Sequence, residues 1–320
     1  MAPVTVDVAG GPMGGAARFR DEFVRYLARS GRDDVRIIGM GRRARPSWLV
    51  RRELGGLSGG RRVALNNVGF LTPGGERWTL LGNALHFLAD GEMAQLDASI
   101  RARVRRQAAI VRLAARRSDV LVAPCTAMAE RVRRALPTVA SRVVVRFHPI
   151  SAASVPRMTP EPVILCPVFF RPYKHMGARL AEMLAVLDEY GDSSVRLLLT
   201  ATHDEVPADV AGHPSVRLVG HLQLDDLSRV WGCSKAIYFP SGLESFGYPL
   251  AEARVSGRPV IARDTPQNQE IAGPALCGYT VGDADSLGQA VKLAMTTDRA
   301  PDPSPFDPDA YFTWMLGDPG

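Results

Sequence analysis

The chain has 320 residues, 46% hydrophobic and 22% charged, with a net charge of +6. That is the profile of a soluble globular protein of about two domains, which excludes disordered and fibrous classes. No uncharged apolar run nears the roughly 18–20 residues of a membrane span, and the N-terminus lacks a basic segment followed by an apolar one. Cys125, Cys166, Cys233 and Cys277 lie far apart with no C-x-x-C pair. A disulfide framework or a zinc site is therefore not expected, and a cytoplasmic location fits.

Short β-branched runs alternate with helical stretches from the start of the chain, the pattern of parallel sheets covered by helices. In the first half the strands are expected at Val4–Ala9, Val35–Met40, Arg62–Val68, Trp78–Leu81, Asp119–Ala123 and Arg142–Phe147. Phe19, Phe23, Tyr26 and Leu27 recur at helical spacing, so a helix joins the first two. Further helices are predicted over Glu92–Arg117 and Ala127–Leu136. Ser151–Pro162, with three prolines and no periodicity, reads as the linker.

The alternation then restarts. Strands are expected at Val163–Phe169, Val195–Ala201, Val216–Val219, Ala236–Phe239, Pro259–Ala262 and Leu276–Val281. Helices are expected at Met176–Tyr190, Leu224–Trp231, Pro249–Val255, Gln267–Ala272 and Ala284–Met295. The fold class is α/β: two Rossmann-like, doubly wound domains, spanning 1–155 and 156–297. Ligands of such sheets sit at the carboxyl ends of the strands, and two domains offer a central cleft. The segment 298–320 holds Phe306, Tyr311, Phe312, Trp314 and Leu316, too aromatic for a free tail, and is expected to dock.

The stretch from Phe239 to Ile261 is the most informative. It reads as a buried strand, a polar Gly-containing loop, and a helix opening near Pro249, where proline suits the first helical position. Free N–H groups at that helix start, with the helix dipole, favour an anion such as a diphosphate. Glu244 and Glu252 are acceptor-only carboxylates suited to gripping hydroxyls. An anion site flanked by two hydroxyl-binding acids points to a sugar nucleotide. Exposed loop and helix acids with no ligand are the plain alternative.

The segment Pro240-Ser-Gly-Leu-Glu-Ser-Phe-Gly-Tyr-Pro-Leu-Ala-Glu252 resembles the E-x7-E signature of retaining, GT-B-fold glycosyltransferases of family 4. The likeness extends over about 160–296. Phe169-Phe-Arg-Pro-Tyr-Lys-His175 resembles the family's phosphate-binding loop, Val216–His221 the strand before the nucleobase site, and Asp264–Ile271 the segment that follows. In the first half Gly10–Arg18 resembles the Gly-rich loop opening the acceptor domain, and Arg116–Pro124 the pattern leading into its next helix.

The resemblance implies that Glu252 holds the donor ribose. It implies that Glu244 holds the donor sugar, with the backbone of Ser245, Phe246 and Gly247 nearby, and that Lys174 sits on the diphosphate. Arg171 is two residues downstream of the usual family arginine, whose place Phe169 takes. Gly14 and Gly15 fall at a strand-to-helix turn, suited either to a ligand or simply to a tight turn. His86 follows the strand where the family often has a cleft histidine, and Asn83 shares that position on the acceptor side. A core histidine is the competing reading of His86.

The implied enzyme is a nucleoside-diphosphate-sugar-dependent hexosyltransferase acting with retention on a hydroxyl of a small acceptor, in natural-product biosynthesis. It needs neither a cofactor nor a metal. Alternatives are a glycolipid or cell-envelope glycosyltransferase at the membrane surface, and a non-catalytic sugar-nucleotide-binding protein. Residues 1–150 hold 26 arginines against 12 acids, whereas the remainder holds 13 basic against 21 acidic residues. This division reads as acceptor selection and domain closure, not as nucleic-acid binding. Membrane docking would need arginines on one face beside exposed apolar residues. In the predicted 92–117 helix, Arg101, Arg105, Arg112 and Arg116 instead flank a stripe of Ile100, Val104, Ala108, Val111 and Ala115 that a sheet should bury. Membrane contact is therefore not expected.

Overall fold

The computed structural model describes residues 3–12, 14–55, 60–167, 170, 174 and 176–318. The chain divides into two compact units: residues 1–149 with 306–320, and residues 150–305.

The first unit begins with β1 (Val4–Asp7), α1 (Gly15–Ser30), β2 (Val35–Ile38), α2 (Pro46–Leu54), β3 (Arg62–Ala64) and β4 (Arg77–Leu80). It continues with α3 (Asp90–Ala94), α4 (Ala98–Ala115), β5 (Val120–Ala123), α5 (Thr126–Ala135) and β6 (Val143–Val145). The six strands form one sheet in the order β2-β1-β3-β4-β5-β6, and every pairing is parallel. The apolar stripe of α1 (Phe19, Phe23, Tyr26) packs on β1, β3 and β4. The predicted helix over 92–117 is two helices, because the chain breaks at Gln95–Asp97, where Leu96 turns into the core. The helix α2 has no counterpart in the sequence reading, since it buries too little of its apolar surface to show a stripe.

The second unit contains β7 (Glu161–Cys166), α6 (Met176–Tyr190), β8 (Arg196–Leu199), α7 (Ala208–Ala211), β9 (Val216–Leu218) and α8 (Leu224–Cys233). Then follow β10 (Ser234–Phe239), α9 (Tyr248–Ser256), β11 (Val260–Arg263), α10 (Pro266–Ala272), β12 (Leu276–Tyr279) and α11 (Ala284–Thr296). Its sheet runs β12-β11-β10-β7-β8-β9, again all parallel. Counted from β7, that is the 3-2-1-4-5-6 order of the doubly wound dinucleotide-binding fold. The strands β7, β10 and β11 read as near-continuous apolar runs because helices cover both faces. The expected strand over Val163–Phe169 ends at Cys166, and its last two residues, 168 and 169, lie outside the described residues.

Residues 298–305 stay with the second unit, where Asp302 pairs with Arg254 at 2.7 Å. The last helix, α12 (Pro308–Leu316), belongs to the first unit. Phe312 meets Phe19 and Tyr26 of α1 at ring distances of 5.6 and 5.2 Å, and Tyr311 meets Phe19 at 5.6 Å.

Candidate active site

In the second unit the chain lays β7, β8 and β9 outward in sequence, then returns to place β10 on the other side of β7. Helices therefore leave the carboxyl ends of β7 and β10 in opposite directions, opening a crevice there in which ligands of such sheets bind. Two loops reach this point: the one after β7, which carries Lys174, and residues 240–247 after β10.

The two loops are tied by side chains. Lys174 Nζ donates to Glu244 Oε1 at 2.6 Å, and Ser241 Oγ donates to the same oxygen at 2.6 Å. Gln267 Nε2, from the start of α10, donates to the Glu244 carbonyl at 3.3 Å. The Lys174 and Glu244 side chains are 14% and 24% exposed, so the pair is partly open to solvent. A cation and a carboxylate thus stand at the switch point within reach of a ligand, and the carboxylate is oriented by a hydroxyl.

Gly247 ends the loop with φ +86° and caps α9. A side chain there would be strained, and a Cβ would stand 3.0 Å from Leu250 and 3.1 Å from Phe239. Pro249 occupies the first turn of α9. Phe246 is buried and makes an edge contact with Tyr248 at 5.4 Å, so only its backbone can serve a ligand. Glu252 lies at the middle of α9 and is only 5% exposed. The plain reading of Glu252 as a solvated helix acid therefore does not hold. Arg171 lies outside the described residues, as do its neighbours 172, 173 and 175.

The remaining predicted residues belong to the first unit. Gly14 has φ +80° and caps α1, its carbonyl accepting from the Ala17 and Arg18 amides. Gly15 is the first residue of α1. Both follow β1 at the switch point of the first sheet, between β1 and β3. His86 sits in a 3₁₀ turn, Ala84–Phe87, after β4, with Nε2 3.4 Å from Asn83 Nδ2. Burial and the nearby Arg112 charge push the His86 pKa down to about 4. At neutral pH its ring is therefore uncharged, a hydrogen-bonding group and not a cation. Asn83 Oδ1 accepts from the Leu85 amide, so this side chain caps the turn as well as touching His86. The structure brings Lys174 and Glu244 together in one unit, and His86 and Asn83 together in the other.

Sequence reasoning missed a buried ionic cluster at the first switch point. Asp7 ends β1, and its carboxylate accepts from Arg52 Nη1 at 2.6 Å, Asn66 Nδ2 at 2.9 Å, Trp48 Nε1 at 3.2 Å and the Ala9 amide at 3.0 Å. Arg52 Nη2 also donates to the Val68 and Gly69 carbonyls, and its guanidinium lies 4.4 Å from the Phe70 ring centre. An acid closing an otherwise apolar strand was the available signal. Ser241 was missed as well, though it lies inside the motif. Among the described residues, no three of His, Cys, Asp and Glu gather at metal-binding distance.

Residues 161–297 match the family model of the glycosyl transferases group 1. No curated protein matches the chain in sequence. Among solved structures, a sucrose-phosphate synthase from Thermosynechococcus elongatus is similar with a TM-score of 0.64 at 14% identity, over 99% of this chain and 95% of that one. WaaG, a glycosyltransferase involved in lipopolysaccharide biosynthesis, gives 0.65 at 14% identity, over 98% and 100%. The catalytic domain of starch synthase IV from Arabidopsis thaliana, bound to ADP and acarbose, gives 0.58 at 12% identity, over 99% of both chains. Two parallel six-stranded sheets with these neighbours bear out the expected α/β GT-B fold. Over residues 161–297 the second unit is thus similar to the glycosyl transferases group 1, and the chain as a whole has the GT-B fold.

Proposed function

We propose that the chain is a retaining glycosyltransferase of family 4. It moves a hexosyl or amino-hexosyl unit from a nucleoside-diphosphate sugar to a hydroxyl of a small acceptor, such as a secondary metabolite, in the cytoplasm. The observation that carries this reading is the Lys174–Glu244 pair, 2.6 Å apart at the switch point of a unit matching the group 1 glycosyltransferases. A starch synthase domain of similar fold bound to ADP supports a nucleotide donor.

Lys174 faces the donor diphosphate and stabilises the charge that develops as the anomeric C–O bond breaks. Glu244, its Oε1 fixed by Lys174 and Ser241, holds hydroxyls of the transferred sugar, and Glu252 holds the ribose. Backbone N–H groups of Ser245, Phe246 and Gly247, with the start of α9, add positive potential for the phosphates. Arg171, three residues before Lys174 in sequence, is assigned to the same phosphates. In the first unit Gly14 and Gly15 let backbone approach the ligand, His86 accepts a hydrogen bond from the sugar or acceptor, and Asn83 holds the acceptor. The acceptor oxygen bonds to the anomeric carbon on the face the diphosphate leaves, and its proton passes to the departing phosphate oxygen. No separate protein base is then required, and no metal, because Lys174 supplies the charge.

A second reading places the acceptor at a membrane surface, and it is favoured by Ile110 and Leu113, which α4 leaves exposed beside Arg106. The test begins with a thermal-shift panel of nucleotide sugars, since a ligand at ~100 times its dissociation constant stabilises by about 2.7 kcal/mol. Donors that bind are then assayed for nucleoside-diphosphate release with candidate acceptors, in the presence and absence of chelator. The product's anomeric configuration is read by NMR. Inversion, or activity that chelator abolishes and magnesium restores, refutes the mechanism. Binding without turnover for any acceptor leaves a sugar-nucleotide-binding protein.

A further inference from the structure

One residue of the first unit departs from ordinary backbone geometry. Among the described residues Asn67 is the only one besides glycines with a positive φ, at +68°. That left-handed conformation is costly for most side chains and tolerated by asparagine, whereas glycine adopts it freely. A residue stays in it where its surroundings over-determine it, and such residues cluster at functional sites.

The surroundings hold Asn67 from both sides. On one side Asn66 Nδ2 donates to Asp7 Oδ2 at 2.9 Å, which ties the end of β3 to the end of β1. On the other, the Val68 and Gly69 carbonyls accept from Arg52 Nη2 at 2.8 and 2.6 Å. Arg52 and Asp7 pair at 2.6 Å, and both are buried. Residue 67 is thus clamped between neighbours that are anchored on one buried ion pair.

What the clamp delivers is a side chain. The parallel pairing of β3 with β4 ends at Ala64 and Thr79, and Asn67 and Gly82 each lie three residues beyond. There Asn67 Oδ1 accepts from the Gly82 amide at 2.7 Å, so a side-chain amide takes the place of a backbone carbonyl in joining the two strands. Gly82 leads directly into the 3₁₀ turn that Asn83 caps and that carries His86. At the other end of that turn the His86 carbonyl accepts from Arg112 at 2.9 Å. A glycine at 67 would take the same backbone conformation without strain, so what asparagine adds is the oxygen. Gly82 is exposed and its amide could turn to water, so the bond is not required to satisfy a buried group. It fixes a direction instead.

We infer that Asn67 is a positioning residue, whose side chain sets the path of the turn that presents Asn83 and His86 to a ligand. The inference rests on the proposed function for the roles of those two residues, not for the geometry. Asn83 Oδ1 accepts from the Leu85 amide, and its Nδ2 lies 3.4 Å from His86 Nε2. A change in the direction of entry at Gly82 therefore moves the amide and the imidazole together. A misplacement of ~1 Å in groups that orient a substrate is enough to cost about 10²-fold in rate. Asn67 acts through the turn and not on the reacting atoms.

The test compares Asn67→Gly, which keeps the backbone conformation and removes the oxygen, with Asn67→Asp, which keeps an oxygen in place. In the full chain, hydrogen exchange read by mass spectrometry should quicken over residues 82–88 of Asn67→Gly, while the thermal midpoint falls by no more than ~2–4 °C. Affinity for ADP and UDP, read by calorimetry, should match wild type, since neither carries the sugar or the acceptor that Asn83 and His86 meet. With a donor and an acceptor that turn over, Asn67→Gly should lose about 10–10²-fold in kcat/KM for the acceptor, and Asn67→Asp should recover most of that loss. Exchange over 82–88 that matches wild type overturns the inference. So does faster exchange with an unchanged kcat/KM, which would leave Asn67 a structural residue only, and so does an equal loss in Asn67→Asp. If the wild-type chain turns over no donor, the proposed function fails, and the exchange result alone decides whether Asn67 orders the turn.

Discussion

Replacing Lys174 by alanine separates a catalytic cation from a merely structural one. Its Nζ lies 2.6 Å from Glu244 Oε1, with side chains 14% and 24% exposed. A pair that open to water contributes about 0–1 kcal/mol to folding, because solvent screens it and two side chains must be ordered. In a unit of this size that moves the thermal midpoint by no more than ~2–4 °C. If Lys174 instead faces the leaving diphosphate, its removal takes away a preorganised charge from the transition state and should cost ~10²–10³ in kcat, about 2.7–4 kcal/mol. The two effects differ enough to be read in parallel, from nucleoside-diphosphate release and from a thermal scan. The double variant Lys174→Ala/Glu244→Gln should lose less than the sum of the singles, since the partners act on one ligand and touch each other. A Lys174→Ala enzyme with near-wild-type kcat and a midpoint lowered by ~10 °C would refute the assignment.

Glu252→Ala should weaken nucleoside-diphosphate binding by calorimetry and raise the donor KM with kcat largely kept, whereas Glu244→Ala should mainly lower kcat. Equal binding and turnover in both variants would remove these acids from the site. Arg52→Ala leaves the buried Asp7 carboxylate without its cation and takes the guanidinium from the Val68 and Gly69 carbonyls, which should cost about 3–5 kcal/mol. Three of the four tryptophans (48, 78 and 314) lie in the first unit, so fluorescence follows its unfolding, and an unchanged midpoint would show the cluster to be dispensable. Burial holds the pKa of His148 at about 3 and of His86 at about 4, below the ordinary 6.5. The unfolded chain then binds more protons between those values, so stability is full above pH ~6.5 and falls as pH drops towards 4. Denaturant midpoints at pH 7 and 5 measure this, and His148→Phe should flatten the dependence; a slope equal to wild type would contradict it.

The parallel α/β architecture was legible because each strand of a covered sheet is a short β-branched run and each helix on α1's plan repeats its apolar residues at 3.6-residue spacing. Residues such as Phe19, Phe23 and Tyr26 announce their burial by spacing alone. The helix α2 was illegible for the complementary reason: it sets Val50 and Leu54 in solvent and buries Arg52, so its apolar pattern points the wrong way. Missing α2 also hid the partner of Asp7, an arginine 45 residues further on. Spacing marked the buried stripe of α4 well, with Val104, Ala108, Val111 and Ala115 all buried. It said nothing of Ile110 and Leu113, because periodicity identifies the side a helix buries and is silent about apolar residues on the other side.

The candidate site shows the same division between local and non-local signals. Glu244, Gly247 and Glu252 belong to one strand–loop–helix unit, so their roles can be weighed from a continuous stretch of chain. Lys174 lies 70 residues earlier, in a different loop, and nothing local connects it to Glu244. Strand order makes the connection. The chain leaves β7 for β8 and β9 and then doubles back, so β10 is the neighbour of β7 despite the intervening elements. Any two loops leaving the carboxyl ends of those strands must meet at the reversal, whatever their separation in sequence. The only lysine in the first 234 residues stands in one of those loops, and an acid that accepts from it stands in the other. A cation needed solely for solubility has the whole surface available. One held 2.6 Å from a carboxylate, where this sheet topology opens a crevice, suits the proposed donor, which carries both phosphate and hydroxyl groups.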